Sequence, residues 1–141
     1  MIAALIISLL VQSTPVAVVR TSERAGPVEI PDEIAPAVIP YFLCLNERSN
    51  AAIQGTMKRD KVSGLDGSGL REANKLALTD CKAVRDTSVA NASKALNTRE
   101  IGDAAARTKM IEDTLTGFEA SMTANADKLD EFNKAHAASG K

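Results

Sequence analysis

The most regular alternation of apolar and polar positions lies towards the C-terminus. Ile101, Thr108, Leu115, Met122, Leu129 and His136 recur every seven residues, and Ala104, Ile111, Phe118, Asn125 and Phe132 follow the first five by three. That coiled-coil-like a/d spacing predicts one long helix from about Arg99 to Ala137, with Thr98 as its N-cap. Lys109/Asp113 and Asp130/Lys134 stand four apart on its other faces, where they serve solubility more than stability.

A second helix is predicted from Gly69 to about Leu96, capped by Ser68. Leu70, Ala73, Ala77, Cys81, Val84, Ser88, Ala92 and Ala95 fall on one face by steps of three and four. The face is narrow and built of small side chains, so a neighbouring backbone can come close. A first helix begins at Pro36 or Pro40, since proline suits a first turn, and ends near Gly55. Its run Val38-Ile39, Tyr41 to Leu45 is apolar all round, as in a segment buried between partners. The stretch between these helices, Gly55 to Gly69, carries four glycines and reads as a loop.

The N-terminal quarter has a different character. Residues 14–33 hold three of the five prolines and no sustained period, as expected of an extended linker. Val28, Ile30 and Ile34 are placed to tuck against a helix. Before the linker, Ile2 to Val11 is uncharged and apolar, then broken by Gln12-Ser13-Thr14-Pro15. Such a run matches the core of a signal peptide and falls short of the ~20 residues that cross a bilayer. Cleavage is expected after residue 13 or 17. The first basic residues, Arg20 and Arg24, follow the segment and disfavour an anchor with its N-terminus inside. An uncleaved anchor formed by residues 2–19 and a buried core helix are the alternatives. The expected organisation is therefore a signal segment at 1–17, a linker at 18–35 and a helical domain at 36–141.

Composition narrows the fold. The 141 residues suffice for one domain, and with three Phe, one Tyr and no Trp its core must rest on Ala, Leu, Ile and Val. Ala-rich chains with few aromatic or β-branched residues favour close-packed helices. The expected class is all-α: a small antiparallel helical hairpin or three-helix bundle with one long C-terminal helix. A net charge of -1 offers no electrostatic case for nucleic acid or an anionic membrane surface.

The two cysteines, Cys44 and Cys81, admit several chemistries. A nucleophile needs a base, and the single histidine is His136, with no third group indicated to orient it. Zinc wants four ligands, and a redox pair usually reads Cys-x-x-Cys. Geometry favours a staple. Cys44 lies eleven residues before Gly55 and Cys81 twelve after Gly69, so in an antiparallel pair both sit ~16–18 Å from the connecting end. An exported chain meets an oxidising compartment in which such a pair closes, and two buried free thiols are the alternative.

Other motifs fail on detail. A calcium loop from Asp60, with Asp66 and Glu72 nearby, would need oxygen ligands where Val62 and Gly64 stand, and Glu where Arg71 stands. The glycines lack the Lys-Ser/Thr and preceding strand of a phosphate cradle. Asn91-Ala92-Ser93 is a glycosylation sequon placed mid-helix. No metal or cofactor is expected.

These features point to a periplasmic or secreted helical protein with a binding or structural role and no catalysis. A membrane-tethered hairpin held by residues 2–19 is the second reading, and membrane association is expected only in that case. An enzyme is the third, and a pocket gathering Asp60, Asp66 and His136 would favour it. The long helix exceeds its antiparallel neighbour by ~15 Å, placing Leu70 opposite Asn125 and leaving Leu129 and Phe132 beyond it. Either the 55–69 loop covers them with Met57, Val62 and Leu65, or they contact a second copy or another protein. Self-association or a protein partner is expected at that surface.

Overall fold

The computed structural model describes residues 17–19 and 28–139. The expected signal segment, its cleavage points and the alternative anchor lie outside the described residues, apart from the backbone of 17–19. Four helices carry the fold: α1 Ala35–Asp60, α2 Gly67–Asp80, α3 Lys82–Thr98 and α4 Ala104–Ser139. The class is all-α. Two three-residue strands, β1 Ala17–Val19 and β2 Val28–Ile30, pair antiparallel with Ala17 opposite Ile30. The segment expected as a plain linker thus contains a short ladder. Ile30 and Ile34 are fully buried, and that burial fixes the entry into α1.

Helix ends differ from expectation for local reasons. Gly55 does not stop α1: its side-chain position faces open space, and an exposed mid-helix glycine costs only ~0.5–1 kcal/mol. The helix runs on until Lys61 turns left-handed (φ 54°), where the N–H groups of Lys61 and Val62 both reach the Met57 carbonyl. Asp66, rather than Ser68, caps α2, its carboxylate accepting from the Gly69 N–H at 2.8 Å. Thr98 donates its hydroxyl back to the Lys94 carbonyl (2.9 Å), so it finishes α3 instead of opening the next helix. Glu100 takes the left-handed turn (φ 54°), and the Asp103 carboxylate accepts from Ala106 N–H to cap α4.

The predicted second helix is bent into α2 and α3 at Cys81. The ladder survives the bend, since Cys81 N–H bonds Ala77 O and Arg85 N–H bonds Cys81 O, each at 2.9 Å. Cys81 is also where the rod is tied to α1. The expected small face is otherwise buried, with Ala73, Ala77, Cys81, Ser88 and Ala92 all inside.

Cross-links define the topology. Ser49 meets Asn74 and Cys44 meets Cys81, so α1 runs antiparallel to the α2–α3 rod. Asn74 meets Met122 and Arg85 meets Glu112, so α4 is antiparallel to the same rod and parallel to α1. The result is an up-down-up bundle. Its core is lopsided. Ile30, Ile34, Val38, Tyr41, Leu45 and Leu96 fill the end where β2 and the start of α1 meet α4. The α4 stripe points inward at Ile111, Leu115 and Phe118, whereas Ala104 and Thr108 before it are exposed. Among the described residues no helix is long and apolar enough to cross a membrane.

Candidate functional site

Three cross-ties hold the bundle, and each leaves its groups committed. Cys44 and Cys81 form a disulfide, with sulfurs at 2.02 Å and Cα atoms at 6.0 Å, so neither is a nucleophile or a metal ligand. The Tyr41 hydroxyl donates to Glu119 (2.7 Å), and Arg85 spans Glu119 and Glu112 at 2.8 Å each. Burial, then the bond to Glu119, pushes the Tyr41 hydroxyl well above the usual tyrosine range. Hydrogen bonds to Glu112 and Glu119 likewise hold the Arg85 guanidinium charged, above its ordinary value. At the opposite end Arg71 bonds Asp127 at 2.9 Å and Asp130 at 2.6 Å. The Asp130 carboxyl stays below its usual range, first because of Arg71 and then through the Gly67 N–H. Gly67 is the point where α2 touches α4: a Cβ there would collide with the Asp130 carboxyl and the Ala126 carbonyl.

Between these ties the parallel helices α1 and α4 face each other across α2. Phe42 and Phe118 stack with ring centroids 4.3 Å apart. Past that stack a groove opens, about 360 Å³ in volume, with α2 as its floor. Leu43 and Ile53 stand on the α1 side, Met122 and Leu129 on the α4 side, and Leu70 below. Leu43 is 63% exposed, which corrects the reading of its run as buried all round.

The polar groups of the groove form a small, uncharged set. Ser49 Oγ donates to Asn74 Oδ1 (2.7 Å), and Asn74 Nδ2 donates to the Met122 carbonyl (3.1 Å). This buried rung joins α1, α2 and α4, so it fixes the spacing of the walls. Asn50 Nδ2 donates to Asn46 Oδ1 along α1 (3.2 Å), and Ser121 Oγ donates to the Phe118 carbonyl (2.7 Å). Asn125 Oδ1 is different: it is shielded from solvent and no group among the described residues donates to it. Buried polar atoms are paired in the great majority of cases, so this oxygen is an acceptor to which a water or a guest would donate. None of the thirteen lining residues has an ionisable side chain.

The structure separates the two residues expected to share a partner surface. Leu129 lines the groove beside Leu70, because α2 begins opposite Asp130 and so reaches further along α4 than the sequence suggests. Phe132 lies outside it, 46% exposed, with its ring 4.0 Å from that of His136. Neither Met57, Val62 nor Leu65 lines the groove. Asp60 pairs with Arg59, Asp66 caps α2 and the His136 ring lies tilted against that of Phe132, and none of the three lines the groove. Among the described residues no cluster of three or more His, Cys, Asp or Glu is placed to hold a metal ion.

Sequence reasoning passed over Ser49, Asn74 and the special position of Asn125. One signal was present. Asn125 occupies a d position of the otherwise largely apolar α4 stripe, and a polar residue there often sets specificity at a cost in stability. No protein-family model, curated protein or solved structure matches the chain.

Proposed function

We propose that this chain is a small exported helical protein that binds a partner at the open end of its bundle and performs no catalysis. The groove between α1 and α4 carries the reading. It combines apolar walls with a few convergent amides, the usual make-up of a binding pocket, at a volume near the low end of the ~300–1,000 Å³ range. Acid–base or nucleophilic catalysis requires a titratable group within reach of the substrate. The groove's hydroxyls, on Ser49 and Ser121, instead donate to Asn74 and to a backbone carbonyl.

Export to the periplasm or the exterior is supported by the Cys44–Cys81 pair, since disulfides persist in oxidising compartments. The contact surface extends along α4 through Leu129 to Phe132, where a protein partner or a second copy would dock.

Purification from the native host tests both parts. The mature chain should lack residues 1–13 or 1–17, and its mass should rise by two hydrogens on reduction. Leu129→Ser should abolish partner binding or self-association while the melting temperature barely moves. Full-length cytoplasmic protein with free thiols would overturn the export reading, and unaltered association in Leu129→Ser would overturn the binding surface.

A further inference from the structure

Resting on the reading of the groove as a binding site, we infer that its occupant is an uncharged single-chain amphiphile: an alkyl body ending in a hydroxyl or an amide N–H.

Charge comes first. With no ionisable group among the lining residues, an anionic or cationic head would lose its hydration without gaining a counter-ion. That penalty is severe for an ion and modest for a hydroxyl that finds an acceptor. Fatty acid anions and quaternary ammonium heads are therefore poor fits.

Shape comes second. The groove is lined from Phe42 to Ile53 on α1 and from Phe118 to Leu129 on α4, a separation of eleven positions in each case, or ~16 Å at the helical rise. It is elongated along the helices, with the Phe42–Phe118 stack at one limit of its lining. An extended alkyl chain fits this outline better than a compact ring system.

The donor comes third. Ser49, Asn74, Asn46 and Ser121 already have hydrogen-bond partners, so they ask little of a guest. Among the buried side-chain polar atoms of the described residues, Asn125 Oδ1 alone is without a partner. The terminal torsion of asparagine is soft, so a small rotation turns this oxygen to the guest. An O–H or N–H supplied there removes the orphan, which an ether or an ester group cannot do.

Calorimetric titration of the full oxidised chain at neutral pH tests the inference, with 1-decanol as probe. Saturable binding of 1-decanol is expected. Decanoate and decyltrimethylammonium should bind at least about tenfold more weakly, and 1-methoxynonane, which lacks the donor, several-fold more weakly. Asn125→Leu should erase the preference for 1-decanol over 1-methoxynonane while the ether still binds, and Leu129→Trp should fill the groove and abolish all binding. Far-UV circular dichroism and the melting temperature verify that both variants fold. Equal binding of decanoate, or 1-decanol binding that survives Leu129→Trp, overturns the inference. Absence of 1-decanol binding together with self-association that Leu129→Trp disrupts also overturns it, in favour of a protein occupant, and leaves the groove a binding site. A chain that neither binds 1-decanol nor associates removes both readings.

Discussion

Cys44 of α1 and Cys81 at the α2–α3 junction are joined with their Cα atoms 6.0 Å apart, so the bend in the middle rod coincides with its cross-link. Cys81 is fully buried and the pair closes a sequence separation of 37 residues. The main effect of such a link is to restrict the unfolded chain.

Cys44→Ala and Cys81→Ala should each lower stability by about 4 kcal/mol, a large share of the ~5–15 typical of a domain. The double variant should lose little more than either single one, because each change removes the same bond. Denaturant unfolding without reductant measures this, and additive losses would contradict a shared link.

Gly55 and Gly67 should respond in opposite directions. Gly55→Ala meets open space within α1 and should stabilise by ~0.5–1 kcal/mol. Gly67→Ala drives a methyl into Asp130 and the Ala126 carbonyl, so it should part α2 from α4 and lower the melting temperature. Equal shifts in thermal unfolding would show that the α2–α4 contact is looser than the geometry requires.

Tyr41 is the one tyrosine of a chain without tryptophan, so phenolate absorbance reports it alone. Its folded-state pKa is raised, meaning that the native fold favours the protonated hydroxyl. The unfolded chain loses that proton near pH ~10, so the contribution is complete below that value and declines as pH rises beyond it. Absorbance should stay flat through the ordinary tyrosine range and then rise together with unfolding. A free titration near pH ~10 in the folded protein would contradict the bond to Glu119.

Asp130 behaves in the opposite sense. Its folded-state pKa is lowered by Arg71, so its contribution is present above the ordinary value of ~3.9 and is lost as pH falls through the depressed one. Asp130→Asn should flatten the acid limb of stability against pH and leave the neutral-to-alkaline part in shape. The pair is partly exposed, so high salt should shrink the effect.

The three-rod arrangement was legible because apolar spacing is a property of long segments. Ile111, Leu115 and Phe118 repeat often enough to declare an inward face, and the level positions of Cys44 and Cys81 predict the pairing of their helices. Helix ends depend on single residues, and there the usual signals misled. Glycine marks left-handed turns only on average; here Lys61 and Glu100 take them as well as Gly102, while Gly55 rests inside α1. The groove was still less legible. Its sides come from α1 and α4 and its floor from α2, and that arrangement is a relation between segments far apart in sequence. Only Asn125, a polar residue within an apolar repeat, hinted at it.

The lopsided core also gives the molecule a front and a back. β2 leads directly into α1, so the described chain enters α1 at the end occupied by Ile30 and Ile34, while the groove is lined further along, by residues between 42 and 53 of α1 and between 118 and 129 of α4. The β2 entry and the groove therefore sit at different levels of the bundle.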